Sequence, residues 1–185
     1  MKIKTKFFGE IDITDEQIIL FPYGIYGFEN SGRFVLLHDE DEKNEESENN
    51  ENGESETIFR WLQCADDENL CFTVMEPKFI ESGYNPKLPD NTLQKLGAGT
   101  GSEKDLIYLV IAVIYDDVEK STANLLGPIV INPKNNVAAQ IILESAEPQN
   151  SEYKIKHKIF SLNINNINAR QTEQCGISKK EGEAV

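Results

Sequence analysis

At 185 residues the chain suits one domain and is short for two. An apolar share of 39%, with 9 Phe, 6 Tyr and 1 Trp, allows a packed core and excludes a wholly disordered chain. The net charge of −14, from 18 basic and 32 acidic residues, disfavours direct contact with nucleic acid or an anionic membrane and favours a basic partner. That charge is uneven. Residues 39–57 hold ten carboxylates against the single Lys43, a net −9 that leaves −5 for the rest of the chain.

The opening MKIKTKFFGEIDI has no apolar stretch of signal-peptide length. The longest apolar run, Leu106 to Tyr115, is ten residues, against the roughly twenty that a membrane-spanning helix needs. The 3 cysteines (Cys64, Cys71, Cys175) have no C-x-x-C spacing, and no N-x-S/T sequon occurs. A reducing cytoplasm is the expected compartment.

Ile3, Thr5 and Phe7 alternate as one face of a strand, which Gly9 punctuates and Ile11 and Ile13 continue. A turn at Thr14-Asp15-Glu16 precedes a strand from Ile18 to Phe21. The loop FPYGIYGFENSG follows, dense in glycine and aromatics, and then a short strand at Phe34–Leu37. The acidic residues 39–57 contain nothing large and apolar to bury, so they read as a disordered insertion in a loop, a length that closure entropy tolerates. Strands at Ile58–Gln63 and Cys71–Met75 flank the acidic turn Ala65-Asp66-Asp67-Glu68-Asn69. Pro77 to Pro89 is irregular, and Asp90 is placed to cap a short helix over Asn91–Leu96 that Gly97 stops. Leu106–Tyr115 suits a strand covered on both faces. Ala123–Leu126, Ile129–Ile131 and Val137–Leu143 complete the strands, and residues 161–185 read as a polar, loosely ordered tail. Many short strands separated by turns predict a single mainly β domain, barrel or sandwich, over residues 1–160.

Catalytic signatures are weak. Leu96-Gly97-Ala98-Gly99-Thr100-Gly101 follows a predicted helix and leads into a strand, the reverse of a dinucleotide-binding turn, so it reads as a connector. His38 and His157 have no partner at a metal or triad spacing, and Lys154 to Lys158 reads as a solvated strand edge. Cys64, Cys71 and Trp61 read as core. No nucleophile with a base, no metal site and no cofactor site is expected.

Three segments together are specific: FFGEIDITDEQIILFPYGIYGFE at 7–29, FRWLQCADDENLCFTVMEP at 59–77 and STANLLGPIVINPKNNVAAQIILE at 121–144, followed by Tyr153 and Lys156-His157. In this order they resemble the bacterial flagellar assembly factor FliW family, apart from the insertion at 39–57 and the tail after 160. The resemblance implies a compact antiparallel β-barrel-like domain with one or two short helices, working by binding. It implies two partners, cytoplasmic flagellin and the translational regulator CsrA, a small RNA-binding protein that represses flagellin synthesis. Export of flagellin would free the factor to capture CsrA, at a site away from the RNA surface, and relieve repression of flagellin mRNA. RNA must then weaken binding of the factor to CsrA by the same factor.

Residue types nominate the surfaces. Tyr23, Ile25, Tyr26 and Phe28 form the aromatic loop that would anchor an apolar partner helix. Asp66, Asp67, Asp116, Asp117 and Glu119 are the carboxylates that would meet basic CsrA, each alone being a solvated charge of small weight. An alternative from another class is a β-barrel enzyme or small-ligand binder, which requires an enclosed apolar cavity. An OB-like nucleic-acid binder would need a basic groove that the sequence lacks. If residues 39–57 are a solvated excursion, their deletion is expected to leave the melting temperature and partner affinity unchanged; a large loss of CsrA affinity at low salt would make them a steering element instead.

Overall fold

The computed structural model describes residues 1–38, 58–115, 117, 120–155 and 157–158. The strands are β1 (Lys2–Thr5), β2 (Gly9–Asp12), β3 (Ile18–Leu20), β4 (Arg33–Leu37), β5 (Phe59–Cys64), β6 (Cys71–Met75), β7 (Ile107–Val113), β8 (Thr122–Ala123), β9 (Ile129–Asn132), β10 (Val137–Gln140) and β11 (His157–Lys158). The order β7-β6-β5-β4-β3-β10-β9 returns to β7 through a β7–β9 pairing, which closes a seven-stranded barrel. Among the described strands the one departure from antiparallel pairing is the seam where β10 runs parallel to β3, Val137 opposite Leu20. There the Leu20 N–H donates to the Asn136 carbonyl at 2.7 Å. The insertion at 39–57 and the tail at 161–185 lie outside the described residues; β4 and β5 on either side of the former pair directly, Leu37 opposite Trp61.

Side-chain alternation divides the core into three clusters. Phe34, Leu62, Val74, Leu109 and Ile129 fill the barrel interior. The intervening positions on one flank, Val35 and Leu37, pack outward against Ile3, Ile11 and Ile13 of the β1–β2 hairpin. On another flank Met75, Val110 and Val130 are covered by Phe79, Ile80, Tyr84 and Leu96 from the long β6–β7 connection. A sheet alternating apolar residues on both faces must bury both, and here hairpin and connection cover what the barrel interior cannot. Among the described residues these side chains pack together across the interior, where the small-ligand alternative requires an enclosed cavity.

Several elements differ from expectation for local reasons. Residues 3–13 are a hairpin and not one punctuated strand. Thr5 Oγ1 donates to the Gly9 carbonyl (2.8 Å) and accepts from the Phe8 N–H (2.9 Å), and Gly9 takes φ +67°, so the chain reverses there. The helix α1 is only Thr92–Lys95, with Asn91 at its N-cap position and no side-chain cap, so Asp90 does not cap it. Beyond Ala123 the strand stops, and the turn at 124–128 leads into β9. Gln63 and Cys71 are paired opposite each other, so Cys64, one residue on, faces the other side of the sheet and cannot bridge to Cys71.

One buried amide and one glycine shape the barrel end that carries the β3–β4 loop. Gln63 is buried at 1% exposure and satisfies every polar atom of its amide. Its Oε1 accepts from the Lys6 N–H (3.0 Å), while Nε2 donates to the carbonyls of Cys64 (3.0 Å), Asp67 (3.0 Å) and Leu70 (3.2 Å). One amide thereby ties the β1–β2 turn to the acidic β5–β6 turn. In the β3–β4 loop, Gly24 has φ +66°, and a Cβ there would sit 2.5 Å from Glu29 Cα and 2.6 Å from the Phe28 carbonyl oxygen.

Gln63→Leu is expected to cost about 1–3 kcal/mol in denaturant unfolding, because it strands buried backbone groups of both turns; an unchanged midpoint would contradict the role assigned to the amide. Gly24→Ala is expected to cost about 2 kcal/mol or more, since backbone atoms cannot yield. Gly27→Ala, at φ +84° with no atom within 4 Å, should cost only left-handed strain of about 1 kcal/mol. Equal thermal shifts in the two variants would refute the close-approach argument.

Candidate functional site

The antiparallel registers bring the C-terminal ends of β3, β5 and β7 and the N-terminal ends of β4 and β6 to one mouth of the barrel. The loop at 21–32, the acidic turn at 65–70 and the connection after β7 therefore emerge together. The nominated residues, scattered over almost a hundred positions of sequence, gather at this end wherever they are described.

The β3–β4 loop spans the mouth, and its residues divide by role. Ile25 is 1% exposed and packs into the barrel interior, so it is a core residue and not a partner anchor. The Phe28 N–H donates to the Ile25 carbonyl at 2.7 Å, folding the intervening residues into a tight turn. Phe28, 43% exposed, rests edge-on against Phe72 at 5.3 Å; Phe72 lies 6.2 Å from Phe34, and Phe34 lies 5.0 Å from Phe21. These rings form a continuous aromatic column from core to surface. Tyr23 and Tyr26 project outward, each 63% exposed.

Polar contacts hold this loop. The Tyr26 N–H donates to Gln140 Oε1 (3.1 Å), whose Nε2 donates to the Gly127 carbonyl (3.2 Å). The Gly27 N–H donates to Glu29 Oε1 (3.0 Å), and this backbone hydrogen bond holds the Glu29 carboxyl below the usual carboxylate range. The tyrosine rings are thus carried on a backbone pinned at both sides, a preorganised display.

The carboxylates are less free than the sequence suggests. Asp66 pairs with Arg33 Nη1 at 3.1 Å, both side chains being about half exposed (53% and 41%). Asp67 Oδ1 accepts from the Asn69 N–H at 2.9 Å, so it shapes its own turn. Asp117 pairs with Lys120 at 2.9 Å, and that hydrogen bond and charge hold the Lys120 ammonium above the ordinary lysine value. Asp116 and Glu119 lie outside the described residues. Exposed pairs of this kind contribute little net attraction, so apolar contact must supply most of any affinity at this end.

One surface was not nominated from the sequence. A groove of about 510 Å³ runs along the end of β7 and across β8, lined by Ile111, Val113, Tyr115, Thr122 and Ile155. Val113 and Tyr115, each 48% exposed, belong to the run read as covered on both faces. An unbroken apolar run carries no alternation to mark where the strand leaves the barrel. The glycine-rich residues 97–101 are a connector from α1 to a single 3-10 turn at Glu103–Asp105. Among the described residues no group of His, Cys, Asp and Glu could hold a metal, and no helix is long and apolar enough to cross a membrane.

Residues 2–159 match the family model described as FliW protein. The flagellar assembly factor FliW of Thermoanaerobacter pseudethanolicus is 36% identical over 160 residues, 86% of this chain and 93% of its own length. That of Leptospira interrogans serogroup Icterohaemorrhagiae serovar copenhageni is 32% identical over 161 residues, 86% of this chain and 93% of its own. A crystal structure of the flagellar assembly factor FliW superimposes with a TM-score of 0.69 at 34% identity, covering 88% of this chain and 99% of that one. Shared sequence, shared barrel and the match across nearly all described elements lead to one assignment: the chain belongs to the FliW family of flagellar assembly factors.

Proposed function

We propose that this flagellar assembly factor acts in the cytoplasm as a non-catalytic, partner-switching binding protein. It holds flagellin, and when flagellin is exported it captures CsrA and prevents repression of flagellin mRNA translation. Flagellin synthesis is thereby coupled to flagellum assembly.

The observation that carries this reading is the barrel end itself. Two exposed tyrosines and Phe28 stand on a pinned backbone beside a carboxylate-bearing turn. Rigid aromatics cost little side-chain entropy on association, which makes them effective anchors for an apolar helix face. The turn at 65–70, with Asp66, Asp67 and Glu68, offers a basic protein a favourable approach and acts chiefly on encounter rate.

Isothermal titration of purified flagellin and, separately, purified CsrA into this protein is expected to give saturable heats with both. The double variant Tyr23→Ala, Tyr26→Ala should weaken flagellin by about tenfold or more while its melting temperature stays near wild type. Asp66→Asn should lower the CsrA association rate at low salt by a few-fold, with the difference vanishing at high salt. No heat above dilution from either protein at roughly tens of micromolar would overturn the proposal.

A further inference from the structure

Beside the aromatic loop lies a slot of about 180 Å³, walled by Tyr23, Tyr26 and Glu29 and floored by Ala139, Gln140 and Ile141 of β10 and its continuation. Lys95, the last residue of α1, stands on its rim. The volume admits one large aliphatic or aromatic side chain and not a helix or a strand. The backbone beneath it is tied down: the Tyr26 N–H donates to Gln140 Oε1, and the Gly24 backbone packs directly against that of Phe28 and Glu29. A small slot between two exposed tyrosines offers an incoming side chain apolar contact on more than one side, as the pockets that hold interface anchors do.

The charges at the rim are asymmetric. Glu29 already accepts the Gly27 N–H, whereas the Lys95 ammonium makes no ion pair among the described residues. On the far side of the loop, past Phe28 and Phe72, the acidic turn carries Asp66, Asp67 and Glu68. A ligand crossing the loop therefore meets a cation, then the slot, then an aromatic shelf, then carboxylates. A ligand with the complementary order of charges would be favoured in one orientation over the other.

We infer that the slot takes one apolar side chain from an amphipathic helix of the partner, with a carboxylate of that helix one turn away reaching Lys95 and the opposite, basic end lying toward Asp66–Glu68. Apolar residues at i and i+3 or i+4 of one helix face would engage the slot and the Phe28–Phe72 shelf together. The inference rests on the flagellin-binding reading and adds to it a polarity and a charge that the partner segment must have.

The test compares wild type, Tyr26→Ala, Lys95→Glu and Lys95→Arg in calorimetric titrations with purified flagellin at two salt concentrations. The expected result is about a tenfold or greater loss for Tyr26→Ala and Lys95→Glu, near-wild-type binding by Lys95→Arg, and a shallower salt dependence for Lys95→Glu than for wild type. Melting temperatures confirm that each variant is folded. Flagellin binding within twofold of wild type by either Tyr26→Ala or Lys95→Glu overturns the slot while leaving flagellin as the partner. Absence of flagellin binding to the wild type overturns both.

Discussion

The burial of Ile25 is the constraint from which the rest of the barrel end follows. A loop as rich in aromatics as residues 21–29 would collapse onto the core if nothing divided its side chains between inside and outside. Ile25, at 1% exposure, fills the mouth; the turn that buries it forces Tyr23 and Tyr26 outward and lays Phe28 across the rim. Gly24 permits this path because its α-carbon passes against the backbone of Glu29 where no side chain fits. The exposure of the tyrosines is therefore not a failure of burial. It is imposed by a neighbour that the core needs.

Much of the barrel could be read from alternation, because β4, β5 and β6 bury different residues on their two faces and are bounded by recognisable turns. The β1–β2 hairpin escaped notice since Ile3, Thr5, Ile11 and Ile13 keep the same period through the reversal, and the reversal itself depends on the hydroxyl of Thr5. The parallel β3–β10 seam has no local signal at all: it joins Leu20 to Val137, and only closure of the sheet brings them together. At the site, residue type found the right loop but could not separate Ile25 from its neighbours. Val113 and Tyr115 were hidden in an apolar run whose exposed end is set by where its partner strands stop.

Charge plays a smaller part than the overall composition suggests. Most of the net −14 belongs to residues 39–57, whose flanking strands β4 and β5 meet at the mouth opposite the aromatic loop. At the loop end, Arg33 and Lys120 answer Asp66 and Asp117. What remains suits steering and orientation, with the rigid rings supplying contact. Such a division is what the proposed partner switching calls for, since rim charges act chiefly on the rate of arrival.

The parallel seam has a consequence for synthesis. The aromatic loop is complete once residue 29 has been made, but its backbone is tied to Gln140, 114 positions later, and β3 finds its second neighbour only at Val137. A chain still on the ribosome can assemble the β4–β5–β6 meander from local contacts, yet it must wait for β10 before the mouth takes its final form. A copy cut short before Gln140 would carry the aromatic loop without the contact that holds the Tyr26 backbone in place.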